Sequence, residues 1–246
     1  MRGIRRVSLV AVALVAVAAA AFAQTSGEGS GNQELSVEES YLQESVELMI
    51  IREQTRADSR DMKLVALEYI GDAISSGRAG PEVVSALEYL ALEGVVNQAR
   101  ESGRLVNNYP DVRAKAAAHL GELGTEEAKD VLLKIVLADP EPMVLTEAIK
   151  SLGTIGLNEN EETISAISWI VTRFDVLNPD NILALSALEA FEKIAEKNGG
   201  LKDPSAIRTI IRIAEGPYIR PVQNRARETL NNLRQYNAQR SSESGR

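Results

Sequence analysis

The chain has a single histidine, His119, and no cysteine, so few side chains could carry nucleophilic or metal chemistry. A Ser-His-Asp arrangement would have to run through His119. That residue lies beside Ala116 and Leu120 on an apolar helical stripe, where it reads as a packing residue. Paired carboxylates are a second option, because two acids held close and buried can share acid and base roles. The pairs here are Glu38-Glu39, Glu126-Glu127 and Glu161-Glu162. Each falls at an expected helix start, where a carboxylate faces the positive end of the helix dipole. The stretch 178–181, Asn-Pro-Asp-Asn, resembles part of a calcium loop, but a helix starting at Asn178-Pro179 accounts for it. No GxGxxG, P-loop or EF-hand spacing occurs. The sequence therefore points to no catalytic residue, no metal and no cofactor.

The elements that position these residues recur. Met62-Ala66-Ile70, Val112-Ala116-Leu120, Val144-Ala148-Leu152, Leu183-Ala187-Phe191 and Val222-Ala226-Leu230 share one pattern, at offsets of 50, 32, 39 and 39 residues. Positions i, i+4 and i+8 form a stripe along one helix, and a central alanine lets a neighbour approach closely. A repeat of this length marks stacked helix pairs. Second helices are expected over about 81–93, 126–138, 161–174 and 204–215, opened by Gly80-Pro81, Thr125, Asn160 and Asp203-Pro204. Gly71, Gly121, Gly153, Gly124 and Gly156 are expected to end helices through a left-handed backbone. No alternating β-branched pattern predicts a sheet. Residues 94–108 read as a helix extension or an extra loop.

"PDVRAKAAAHLGELGTEEAKDVLLKIV" resembles a HEAT repeat of the bacterial type also found in phycobiliprotein-lyase-like proteins. The resemblance spans roughly 61–234 and is strongest over 111–156. Glu192 and Asn231 depart from it, standing where the first three repeats carry glycine, and the last unit lacks a clear second helix. The resemblance implies an all-α fold, a right-handed α-solenoid of about four to five helical hairpins, used mainly for protein binding. It supplies no catalytic residue.

Ahead of the repeats, 35–57 reads as an N-terminal capping helix. Ser36 and Glu39 would form a capping box, and Tyr41, Leu42, Val46, Met49 and Ile50 an apolar stripe. Residues 218–236 would close the other end of the repeat domain (58–236). A dimerising role is the alternative for the first helix. Residues 24–34 and 237–246 read as a flexible leader and a disordered tail.

Partner-binding candidates come from aligning the second helices on Val84, Ala128, Ile164 and Ile207 as equivalent buried positions. Five residues on, about 140° around the helix, lie Tyr89, Leu133, Trp169 and Arg212. Lys129, Arg173 and Arg208 flank them. In HEAT-like solenoids the second helices line the concave side, so this row would present aromatic and arginine anchors to a partner protein. The competing reading has Trp169 filling the gap between repeats.

Residues 1–23 join Arg2, Arg5 and Arg6 to an apolar run ending Ala21-Phe22-Ala23, the pattern of a cleavable secretory signal. The run is short and alanine-rich for a membrane span, and no cysteine follows for lipid attachment. The Arg5-Arg6 pair leaves twin-arginine export open beside the general route. The expected location is the periplasm, or the cell exterior. Loss of three arginines takes the net charge from −8 to −11, which argues against nucleic-acid binding. The expectation is an exported protein-binding scaffold. The alternatives are a structural subunit of an envelope assembly such as a motility or secretion apparatus, or a lyase-like, cofactor-cradling protein.

Overall fold

The computed structural model describes residues 37–177 and 179–243. Two compact units divide after Gln43, and nearly all described residues lie in the second. The signal and leader segments, Ser36 of the proposed capping box, and Asn178 lie outside the described residues.

Ten helices are described: α1 (Val37–Arg56), α2 (Arg60–Ser75), α3 (Pro81–Leu92), α4 (Pro110–Leu123), α5 (Glu126–Ala138), α6 (Pro142–Ile155), α7 (Glu162–Leu177), α8 (Asn181–Asn198), α9 (Pro204–Glu215) and α10 (Arg220–Glu243). The even-numbered helices from α2 to α10 pack side by side as one row, and α3, α5, α7 and α9 form a second. The protein is an all-α solenoid of four hairpins closed by α10. Local chemistry sets the boundaries. Proline opens α3, α4, α6 and α9, where its missing N–H costs nothing. Thr125 Oγ1 accepts from Ala128 N at 3.2 Å, and Asp203 Oδ1 from Ser205 N at 2.7 Å. Two starts differ from expectation. Asn158, not Asn160, receives the Ile164 N–H, and α8 begins at Asn181, capped by Asp180 at 2.8 and 2.9 Å.

The glycines divide into two jobs. Gly124 and Gly156 take φ of 68° and 69° and end α4 and α6 in the left-handed conformation. Gly71, Gly121 and Gly153 do not end helices; they lie inside α2, α4 and α6, one residue beyond each apolar stripe. A Cβ on Gly153 would stand 2.7 Å from Ala190 Cα, and one on Gly121 2.6 Å from Ser151 Oγ. Glycine inside a helix costs about 1 kcal/mol relative to alanine. Here it admits direct backbone contact between neighbours, and Ser151 Oγ reaches across to donate to Ala117 O at 2.8 Å.

A buried ion pair ties the rows together. Arg113, fourth residue of α4, meets Asp139 just beyond α5, with Nε–Oδ2 at 2.6 Å and Nη2–Oδ1 at 3.3 Å. Lys63 holds the same position in α2 and meets Glu93 beyond α3 at 2.9 Å.

Three further segments depart from expectation. Residues 94–108 contain a small antiparallel hairpin, β1 (Arg100–Glu101) with β2 (Arg104–Leu105). Its turn residues Ser102 and Gly103 take φ of 50° and 82°, matching the twist of paired strands. Helix α1 buries Ile51 and leaves Leu42, Val46 and Met49 of the expected stripe exposed, because the face carrying Leu48, Ile51 and Thr55 is the one turned towards α3. Helix α10 continues to Glu243, past the expected start of the tail. No glycine or proline interrupts it after Pro221, and propagation adds one hydrogen bond per residue.

Candidate functional site

The second-helix row contains the candidate residues, but the structure shifts their register. The third residue of each second helix faces the core: Val83, Ala128, Ile164 and Ala206 are buried. Val84 and Ile207 are only partly buried, so the expected alignment was one residue late in α3 and α9. Counting five residues from the corrected positions gives Glu88, Leu133, Trp169 and Ile211. The N-cap positions Gly80, Thr125 and Asp203 carried the signal that would have fixed this.

Trp169 and Ile211 are 46% and 40% exposed. They line a groove of about 700 Å³ between α7 and α9. Each helix contributes an i, i+3, i+4, i+7 face: Ser165, Ser168, Trp169 and Thr172 from α7, and Ser205, Arg208, Thr209 and Arg212 from α9. Buried Ser168 and Thr209, with half-buried Thr172 and Ser205, form the floor; exposed Ser165 and the large side chains form the rim. Ser168 is 5% exposed and its Oγ makes no hydrogen bond with any described residue. Ser165 Oγ donates to Asp203 at 2.9 Å, and Thr172 Oγ1 to Ser168 O at 2.8 Å.

The cations around the groove differ in availability. Arg212 pairs with Asp175, whose carboxylate is almost wholly buried. Burial, then the Asp175 charge, push the neighbouring Tyr218 phenol well above its ordinary pKa. Arg173 stacks on the Trp169 ring at 5.5 Å. Arg208 makes no ion pair with any described residue. Asp203 is held below the ordinary carboxylate range: burial raises it, but its hydrogen bonds to Ser205 and Ser165 and the Arg208 charge outweigh that.

The other candidates lie elsewhere. Lys129 is not a surface anchor; its side chain is buried and its ammonium pairs with Glu162, Glu126 and Asp130. Its pKa is raised, chiefly by the Glu162 hydrogen bond. Its long stem carries the charge to acids at the starts of α5 and α7, so it fastens two repeats together. Leu133 is half-buried against the core. Tyr89 lines a separate groove of about 390 Å³ between α1 and α3, with Arg52, Thr55, Arg56, Glu82 and Ser85. Arg56 stands over its ring at 5.7 Å and Lys63 at 5.5 Å. His119 packs over Gly71, with Nδ1 2.9 Å from Glu122 Oε2.

The first-helix row also carries an opening. Glu192 on α8 replaces glycine, and a cavity of about 520 Å³ lies between α8 and α10. Arg225 Nη1 donates to Glu192 Oε1 at 2.9 Å and Asn232 Nδ2 donates to the same oxygen at 3.2 Å. Burial pushes the Glu192 carboxyl up, but Arg225 first, then Thr229 and Asn232, more than offset it, so its pKa falls below the ordinary range. The chain's own groups thus answer this carboxylate. Among the described residues no group of three or more His, Asp or Glu side chains is placed to hold a metal ion. No described helix is long and apolar enough to cross a membrane.

Comparison with known proteins agrees with the fold. A family model described as HEAT repeats matches residues 103–175. Among solved structures, a chain in the complex of CpcE and CpcF of phycocyanin lyase from Nostoc sp. PCC7120 is similar, with a TM-score of 0.52 and 17% identity. The match covers 86% of this chain and 70% of that one. No curated protein matches the sequence. The protein carries HEAT-like repeats.

Proposed function

We propose that this protein is an exported, non-enzymatic binding module whose second-helix row receives a segment of a partner protein in the α7/α9 groove. The carrying observation is a half-exposed indole beside an exposed isoleucine, rimmed by arginines, in one groove; the row's other exposed large apolar groups, Leu137 and Val176, do not line it. Aromatic and arginine side chains are the usual anchors of protein interfaces. Export rests on the arginine-led apolar segment at 1–23 and places the protein in the periplasm or outside the cell.

The test is photo-crosslinking in intact cells, with a photoreactive side chain at Ile211 and, as control, at exposed Glu122 on the first-helix row. A discrete protein adduct from position 211 and none from 122 supports the reading. Adducts of equal yield from both positions would remove it. A second reading follows from the solved neighbour, which is a complex of two lyase proteins: this chain would cradle a cofactor together with a partner. Mass spectrometry of protein purified from its own host decides that, because a bound small molecule would favour this second role.

A further inference from the structure

The α1/α3 and α7/α9 grooves share side-chain chemistry, although Tyr89 is the ninth residue of α3 and Trp169 the eighth of α7. Each is lined by an aromatic ring with a guanidinium over it, Arg56 over Tyr89 at 5.7 Å and Arg173, outside the groove lining, over Trp169 at 5.5 Å. Each is lined by a deeply buried hydroxyl with no hydrogen bond to any described residue, Thr55 (3% exposed) and Ser168. Each has an exposed arginine without an ion pair among the described residues, Arg56 and Arg208.

Acids are present too, but most are answered locally. Glu82 pairs with Arg52 at 3.1 Å in the first groove, and Asp175 pairs with Arg212 beside the second. Asp203 caps α9 and accepts from Ser165. Glu215 alone lines the second groove without such a partner, and it sits at the far end of α9.

A buried hydroxyl lacking a partner is costly unless something supplies one. An unpaired guanidinium beside it favours an anionic acceptor, and the adjoining ring favours an apolar neighbour. We propose that the two grooves, alike in side-chain chemistry though not in helix register, each receive an extended partner segment alternating carboxylates with apolar side chains. This rests on the reading of the α7/α9 groove as a partner site and adds a second, of like chemistry, at Tyr89. A long segment engaging both would gain avidity without any new contact.

The probe is a synthetic peptide of repeated Glu-Glu-Leu, about twelve residues or roughly 40 Å when extended, titrated into the full chain by calorimetry. Controls are the Lys-Lys-Leu and Gln-Gln-Leu peptides and a phosphoserine analogue. The expected result is two acidic peptides bound per chain and no measurable Lys-Lys-Leu binding. Arg56→Glu and Arg208→Glu should each remove one site, weakening it by about ten-fold or more, with melting curves unchanged.

One site that only Arg208→Glu abolishes would overturn the second site and leave the proposed function standing. One site sensitive only to Arg56→Glu would overturn both. Equal binding of Lys-Lys-Leu, no binding of Glu-Glu-Leu, or preference for phosphoserine over glutamate would overturn the carboxylate assignment.

Discussion

The two helix rows of this solenoid solve the same packing problem in opposite ways. In the first-helix row, α4, α6 and α8 meet through Gly121, Ser151, Gly153 and Ala190, so backbones touch and nothing else fits between them. In the second-helix row, α7 and α9 face each other through Ser165, Ser168, Thr172, Ser205 and Thr209, and a groove remains. Small side chains line both seams. Glycine and alanine close a gap because they satisfy packing alone, whereas hydroxyls keep a polar floor that asks for a partner. The first-helix row opens at Glu192, and there Arg225 and Asn232 already occupy the carboxylate. Its acid is answered from within, while Ser168 is not.

The largest expected effect is at the joint between the rows. Asp139→Ala leaves the Arg113 guanidinium buried and uncompensated, and should cost about 3–5 kcal/mol of unfolding free energy by urea denaturation. Gly153→Ala comes next. Its new methyl meets Ala190 backbone, and despite better helix propensity the net loss should be about 1–3 kcal/mol. The matched change across the molecule, Ser168→Ala, removes an unpartnered hydroxyl and should leave stability unchanged within about 0.5 kcal/mol or raise it. A comparable loss at both positions would erase the contrast between sealed and open seams.

A smaller effect is expected in acid. The lowered Glu192 pKa means its contribution is complete above the ordinary carboxylate range, near pH 4.3. It is lost as pH falls through the lower folded-state value. Denaturation midpoints measured down the acid range should therefore fall less steeply in Glu192→Gln than in the unaltered chain. The smallest stability effect belongs to Trp169→Ala, about 1 kcal/mol or less because half the ring is in water. The same variant should lose the Ile211 crosslink.

Much of the architecture was legible because the apolar stripes recur and because Thr125, Asp203 and the prolines punctuate it. The internal glycines misled, since Gly121 and Gly153 look like helix terminators in sequence and their role needs Ser151 and Ala190, some 30 and 37 residues away, to be seen. Trp169, Arg173, Arg208 and Arg212 were found from spacing, whereas Ile211 was hidden by a one-residue slip that the cap positions correct. Lys129 looked like surface because lysine normally is. Only Glu162, brought in by α7 to join Glu126 and Asp130 of the lysine's own helix, shows why its charge can be buried. The hydroxyl floor carried no signal, because serine and threonine acquire meaning there only from the absence of a bonding partner.

The most direct test of an open, cationic second-helix groove uses the chain's sole tryptophan, quenched separately by iodide and by caesium. Trp169 should emit at the long wavelength of a wetted indole, and iodide should quench it more steeply than caesium, because Arg173, Arg208 and Arg212 gather anions around it. A short-wavelength emission that neither ion quenches, or caesium quenching as strong as iodide, would contradict the account.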